Sequence, residues 1–195
     1  MDFFFRHKEA AILPEQIAEQ FYNELGRHIP VRDEELFRFA VAELVSNCYF
    51  SPVEKVYRTE YENFKDIRDR MGVLQSVHRK KLEKMPLESL RIDLSEGGDA
   101  LTFWILSNVL PEPASLERIQ ERLAWDELSA VEFIHNQSES GGKEYVSMTG
   151  AAGFGIYMAK KEFARYGGRL AFSNRPGEGW SGYEVAFTKP IQYRE

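Results

Sequence analysis

The sequence predicts an α+β fold: a two-layer α/β sandwich in which helices cover a mixed, mostly antiparallel sheet, interrupted by a helical insertion. Three observations lead there. Amphipathic helical patterns crowd the first half of the chain, residues 90–106 read as a strand–turn–strand unit, and a second such unit closes the sequence. Helices first, followed by mixed strands and helices, suit an α+β sandwich better than a regular strand–helix alternation. The chain has 195 residues, 43% of them hydrophobic and 29% charged, which fits one domain that buries a core.

Taken in order, Phe3, Phe4 and Phe5 suggest a short edge strand. Ile17, Phe21 and Leu25 recur at four-residue spacing and predict a helix over 14–26, closed by Gly26. A second helix is expected over 33–50, with Asp33 as N-cap, Glu34 and Glu35 in the first turn, and Pro52 ending it. Residues 53–85 are rich in charge, with Val56, Tyr57, Phe64, Ile67, Met71, Leu74 and Val77 at helical intervals, and read as a long helical segment broken near Gly72. Leu90, Ile92 and Leu94 alternate into the turn Glu96-Gly97-Gly98-Asp99, and the apolar run from Leu101 to Leu106 suits a buried central strand. Helices are expected over 115–124 and 126–135, with the polar stretch 136–143 as a mobile loop. The glycine-rich segment 149–155 opens a helix that Gly167-Gly168 ends, and a last hairpin pairs 169–173 with 183–188.

Composition excludes several function classes. The net charge is −6, and the run Arg79, Lys80, Lys81 is flanked by acids, so bulk nucleic-acid binding is not expected. No apolar run approaches the roughly 20 residues that span a bilayer, no signal peptide is visible, and the expected location is the cytoplasm. The lone cysteine, Cys48, sits in an apolar helical stretch and reads as a core thiol. His7, His28 and His135 show no metal-ligand spacing, and His78, on a helical stretch, reads as an ordinary surface histidine. Trp104, Trp125 and Trp180 read as core or rim packing.

Two features carry chemistry. On the helix 33–50, Leu36, Ala40, Glu43 and Asn47 share one face beside the core-facing Phe37, Val41, Leu44 and Cys48. Glu43 and Asn47 are then an acid and an amide one turn apart on a largely apolar face. A carboxylate in such a place needs a partner, which a metal ion or bound water would supply, unless both residues lie at the rim and face solvent. The second feature is Thr149-Gly150-Ala151-Ala152-Gly153-Phe154-Gly155-Ile156. Its glycines let backbone N–H groups approach a ligand, and the helix that follows offers its N-terminus to phosphate. No Gly-Lys-Ser/Thr closes it, and no clear strand leads into it, so neither a Walker loop nor a dinucleotide fingerprint fits.

In combination and in order these features resemble the histidine-kinase-like ATPases, the superfamily of gyrase, Hsp90, histidine kinases and anti-sigma-factor kinases. Glu43-Leu44-Val45-Ser46-Asn47 resembles its N-box, and Gly150 to Ile156 with Tyr157-Met158-Ala159-Lys160 resembles its second glycine box. Gly167-Gly168-Arg169-Leu170-Ala171-Phe172 and Gly182-Tyr183-Glu184-Val185-Ala186-Phe187 look like its closing hairpin. The likeness covers about residues 30–52 and 88–190.

The resemblance implies the Bergerat ATP-binding fold over a single domain, 1–195, with 53–86 as the helical insertion and 109–149 as the ATP lid. It implies ATP and Mg²⁺ as cofactors, Asn47 as the Mg²⁺ ligand and Glu43 as general base. Ser51, Asn108, Gly150, Gly153, Phe154, Gly155 and Ile156 would complete the nucleotide site. One expected motif is missing. After the central strand the family carries Asp-x-Gly-x-Gly, its aspartate bonding the adenine amino group; here the place reads Leu106-Ser107-Asn108-Val109-Leu110-Pro111. Asn108 could accept the same bond without the charge, at a loss of ~1.5–3 kcal/mol.

The chain is closest in layout to stand-alone serine/threonine kinases of partner-switching systems, which phosphorylate a small antagonist protein. A degenerate, non-catalytic adaptor or phosphotransfer partner is the alternative, and a regulatory ATPase domain of a larger complex is a third. The insertion offers a docking surface for a small protein partner or for a second copy in a homodimer.

Overall fold

The computed structural model describes residues 2–6, 14–61, 88–111, 113–139, 146–147, 150–151, 154–175 and 177–194. Five strands form the main sheet: β1 (Asp2–Arg6), β2 (Glu88–Glu96), β3 (Ala100–Ser107), β6 (Gly168–Arg175) and β7 (Trp180–Thr188), in the order β1-β2-β3-β7-β6. The short strands β4 (Val146–Ser147) and β5 (Gly150–Ala151) pair with each other. The helices are α1 (Pro14–Leu25), α2 (Glu34–Tyr61), α3 (Pro113–Ala124), α4 (Glu127–Glu139) and α5 (Phe154–Arg165).

The α+β class is as expected, but the mixed sheet is not: every pairing among the described residues is antiparallel. The geometry follows from two hairpins. β2/β3 and β6/β7 are each closed by a short turn, and their second strands meet in the centre, Leu101 opposite Phe187 and Ser107 opposite Ser181. The first turn closes with Gly97 N–H donating to Ala100 O at 2.9 Å, and the second contains Gly179 at φ +75°. At Gly182 a side chain would drive a Cβ into the Ile105 carbonyl, so the two central strands approach closely only because that residue is glycine.

Alternation along the central strands splits the sheet into two faces. Leu101, Phe103, Ile105, Val185 and Phe187 point into the helices and are fully buried. Their rings interlock with those of α1 and α5: Phe21–Phe103 at 5.1 Å, Phe103–Phe163 at 5.8 Å and Phe163–Phe187 at 6.0 Å between centroids. On the opposite face Trp104 Nε1 donates to Glu184 at 2.7 Å, and the Arg175 guanidinium lies 5.3 Å from the Trp104 ring. Trp125 packs in a smaller cluster with Ala130 and Tyr157. The expected packing roles of Trp104 and Trp125 hold.

Some boundaries differ from expectation. α2 does not stop at Pro52 but runs on to Tyr61. A proline removes one amide and crowds the carbonyl four residues back; both costs fall on a single turn, and the helix on either side keeps its own bonds. The expected loop at 136–143 begins inside α4, which continues to Glu139. Glutamine and glutamate propagate a helix readily, so polarity alone did not mark a loop there. Gly150 and Ala151, read as part of an open glycine turn, form β5. The expected break near Gly72 and most of the 53–86 insertion lie outside the described residues, as does His78.

Candidate functional site

Capping and aromatic packing set the position of α2. Asp33 accepts from Leu36 N–H through Oδ1 at 3.1 Å and from Phe37 N–H through its carbonyl at 3.0 Å, closing the helix start as its sequence position suggested. Phe37 then meets Phe163 at 5.4 Å and Tyr166 at 5.2 Å, both edge to face. The Tyr166 hydroxyl accepts from the Arg32 and Asp33 amides at 3.1 and 3.4 Å. At the same C-terminal end of α5, Tyr193 packs on Tyr166 and Arg194 N–H donates to Arg165 O at 2.5 Å, so the C-terminal segment straps the helix down.

With its phase fixed this way, α2 turns Glu43 onto α5. The Glu43 side chain lies directly over the Cα of Gly155: a Cβ built at that residue would collide with Oε1, Cδ and Cγ of Glu43. The glycine is therefore required by close approach, and the acid of α2 touches the glycine-rich start of α5. Burial pushes the Glu43 carboxyl above its ordinary pKa, while the Asn47 amide nearby acts in the opposite direction. No hydrogen bond of normal geometry joins the two, since Asn47 Nδ2 is buried and has no hydrogen-bond partner among the described residues. Both residues are half-buried, between the apolar core and solvent.

The next residue anchors this turn to the sheet. Cys48 Sγ donates to Ile105 O at 3.1 Å, which puts the Asn47 turn beside the last residues of β3. Cys48 is the core thiol expected, its pKa pushed up to about 12 by burial. Asn108 follows at the exit of β3 and is half-buried. The loop there is held by hydroxyls: Ser181 Oγ donates to Val109 O at 2.6 Å, and Val109 N–H donates to Ser107 Oγ at 3.4 Å. Ser107 and Ser181 face each other across the central strands. Their joint role was not legible in the sequence, because it depends on the register between strands far apart in the chain.

Of the remaining expected site residues, Phe154 opens α5 half-buried, its ring 5.9 Å from Tyr157. Ile156 is 7% exposed and belongs to the main core, so its side chain packs rather than lining a ligand. Gly150 pairs with Ser147, Ser51 lies within the α2 backbone, and Gly153 is outside the described residues. Within the 109–149 segment, α3 and α4 are tied to α5 by Lys160, whose Nζ donates to Leu123 O at 2.7 Å and to Trp125 O at 2.9 Å. Sequence reading assigned Lys160 no role of its own; only its contact with a helix end distinguishes it from any helical lysine.

Among the described residues no group of three or more His, Cys, Asp or Glu side chains is placed to hold a metal. A nucleotide-borne Mg²⁺ needs no such group, because it takes one or two protein ligands and fills the rest from phosphates and water. Asn47 fits that requirement once its amide is flipped: the buried atom without a partner is the Nδ2 donor, which cannot bind a cation, and a flip puts the amide oxygen in its place. Among the described residues no helix is long and apolar enough to cross a membrane.

Comparison with known proteins gave no match of significance: no family model, no curated protein and no solved structure matches the chain.

Proposed function

We propose that the chain binds ATP with Mg²⁺ between α2 and α5 and acts as a serine/threonine kinase of the partner-switching type on a small protein. The observation that carries this reading is the contact of Glu43 with Gly155, with the unsatisfied Asn47 amide one turn further along α2. A carboxylate whose pKa is raised by burial is a better proton acceptor near neutrality. In the transfer, the acceptor hydroxyl gives its proton to Glu43 as its oxygen bonds the γ-phosphorus, and the bond to ADP breaks. The N-terminus of α5 supplies backbone N–H groups and a favourable dipole for phosphate. Mg²⁺, held by Asn47, would neutralise phosphate charge.

The second reading, a non-catalytic adaptor with this architecture, is favoured by one feature. The loop after β3 offers the amide of Asn108 where a carboxylate would serve, and is pinned by Ser107 and Ser181. Calorimetric titration of ATP, with and without Mg²⁺, separates the two. Micromolar, Mg²⁺-dependent binding that Asn47→Ala weakens at least tenfold is expected. No heat up to millimolar ATP, with no thermal shift, would leave the adaptor.

A further inference from the structure

The main sheet turns one face to the helices, and among the described residues every helix packs on that side. Alternation puts Arg91 and Asp93 of β2, Trp104 of β3, Glu184 and Trp180 of β7 and Arg175 of β6 on the other face. Trp104, Trp180 and Glu184 are half-buried there, with no helix over them among the described residues.

Contacts between side chains fix where the charges of this face stand. Asp93, Trp104 and Glu184 form one straight row across the sheet, Asp93 opposite Trp104 and Trp104 opposite Glu184. Trp104 Nε1 donates to Glu184 Oε2 at 2.7 Å, and the Arg175 guanidinium lies 5.3 Å from the Trp104 ring centre. On the far side of the tryptophan, Arg91 Nε donates to Asp93 Oδ1 at 2.7 Å, so its guanidinium reaches along β2 into that row. The row therefore has a cation at one side of the indole and a carboxylate at the other. Tryptophan and arginine are among the side chains most enriched where proteins bind one another.

Charge selects the occupant. The chain carries −6 in all, yet on β2, β3, β7 and β6 this face sets Arg91, Arg169 and Arg175 against Asp93 and Glu184. A strongly basic partner would be opposed by the arginines, and a strongly acidic one by the two carboxylates. A second copy meets neither obstacle, because the row is complementary to itself. β3 is the middle strand of five, and a two-fold axis along it lays each β2 over β7 of the second copy. Arg91 then faces Glu184 of the second copy on both sides of the axis, where Trp104 meets Trp104. Sheets stacked face to face about 10 Å apart bring such side chains into contact. We infer that the chain self-associates through this sheet face, centred on Trp104 and flanked by Arg91 against Glu184. Neither nucleotide nor Glu43 enters the contact, which stands or falls apart from the kinase reading.

Sedimentation of the whole chain over a concentration series, without nucleotide, tests it. A reversible dimer is expected. Arg91→Glu should weaken it on the order of tenfold by setting like charges opposite each other, and Glu184→Arg should do the same. The double variant, with the charges exchanged, should return to within about threefold of the parent. Cross-linking covers the case in which a charge variant does not fold. Thr102→Cys, on β3 beside the axis, should be joined to its counterpart by a short bismaleimide, whereas Gln20→Cys on the exposed side of α1 should not. Cys48 is buried and gives an unreactive background. A monomer at every concentration, a dimer indifferent to both single charge variants, a double variant no better than the singles, or linkage at Gln20→Cys in place of Thr102→Cys would each overturn the proposal.

Discussion

Beneath α2 and α5, Phe37, Phe103, Phe163 and Phe187 are each completely buried, and most of their rings meet edge to face. Around α3 and α4 the corresponding cluster is Trp125, Ala130 and Tyr157, and α3 buries no residue of its own. That outer pair meets the main core through the partly buried Ile119 and Leu123 and adds polar and cationic contacts: Lys160 on two carbonyls, and the Arg122 guanidinium against Trp125 at 4.1 Å and Phe133 at 4.5 Å. Dense apolar packing makes a scaffold, whereas a few directional contacts make an attachment that opens locally at much lower cost. The Glu43–Gly155 contact sits on the border between the two, with α2 fixed by the core and the start of α5 facing the outer helices.

The contrast can be broken most directly at its rigid side. Phe163→Ala should lower the unfolding free energy by about 3–5 kcal/mol in a denaturant titration, since the ring meets three aromatic neighbours. A loss under about 1 kcal/mol would mean that this cluster is not the source of stability. At the border, Gly155→Ala should cost about 1–3 kcal/mol, because the new methyl forces Glu43 aside. ATP binding should fall with it, and a variant that is destabilised but binds normally would detach the glycine from the site.

On the attached side, Lys160→Met should leave the global transition nearly in place while amide exchange over 113–139 quickens on the order of tenfold. Uniform destabilisation would merge the two regions into one cooperative unit. The smallest effect concerns Glu43. Its raised pKa means that the fold favours the protonated acid, a contribution present in full below the ordinary glutamate value of about 4.3 and lost as pH rises through the folded value. Glu43→Gln, neutral throughout, should therefore be the more stable protein at neutral pH, with the gap closing on acidification. A gap that is constant with pH would show that the carboxyl is not desolvated.

Local pattern carried much of the architecture. Both hairpins were legible from alternation and turn glycines, though β6 and β7 extend further toward their turn than the apolar residues indicated. The Asp33 cap and the burial of Phe37, Val41, Leu44 and Cys48 followed from helical period. Pro52 misled because a breaker signal reports a local cost, which a long helix with bonds on both sides can absorb. Of the site, Glu43, Asn47 and Gly155 were visible as residue types in order, while Ile156 turned out to be core.

The sequence by itself determined where most of the long strands and helices lie, which helix faces are apolar, and that an acid and an amide stand one turn apart on α2. Those properties depend on neighbours within a few residues. Only the tertiary structure decided that Glu43 presses on Gly155 and that Ser107 meets Ser181. Each of these depends on the rotation of α2 against α5 or on the register of β3 against β7. Both are set by side chains far apart in the chain, Phe37 against Phe163 and Tyr166, and Gly182 against Ile105, whose fit no local periodicity encodes.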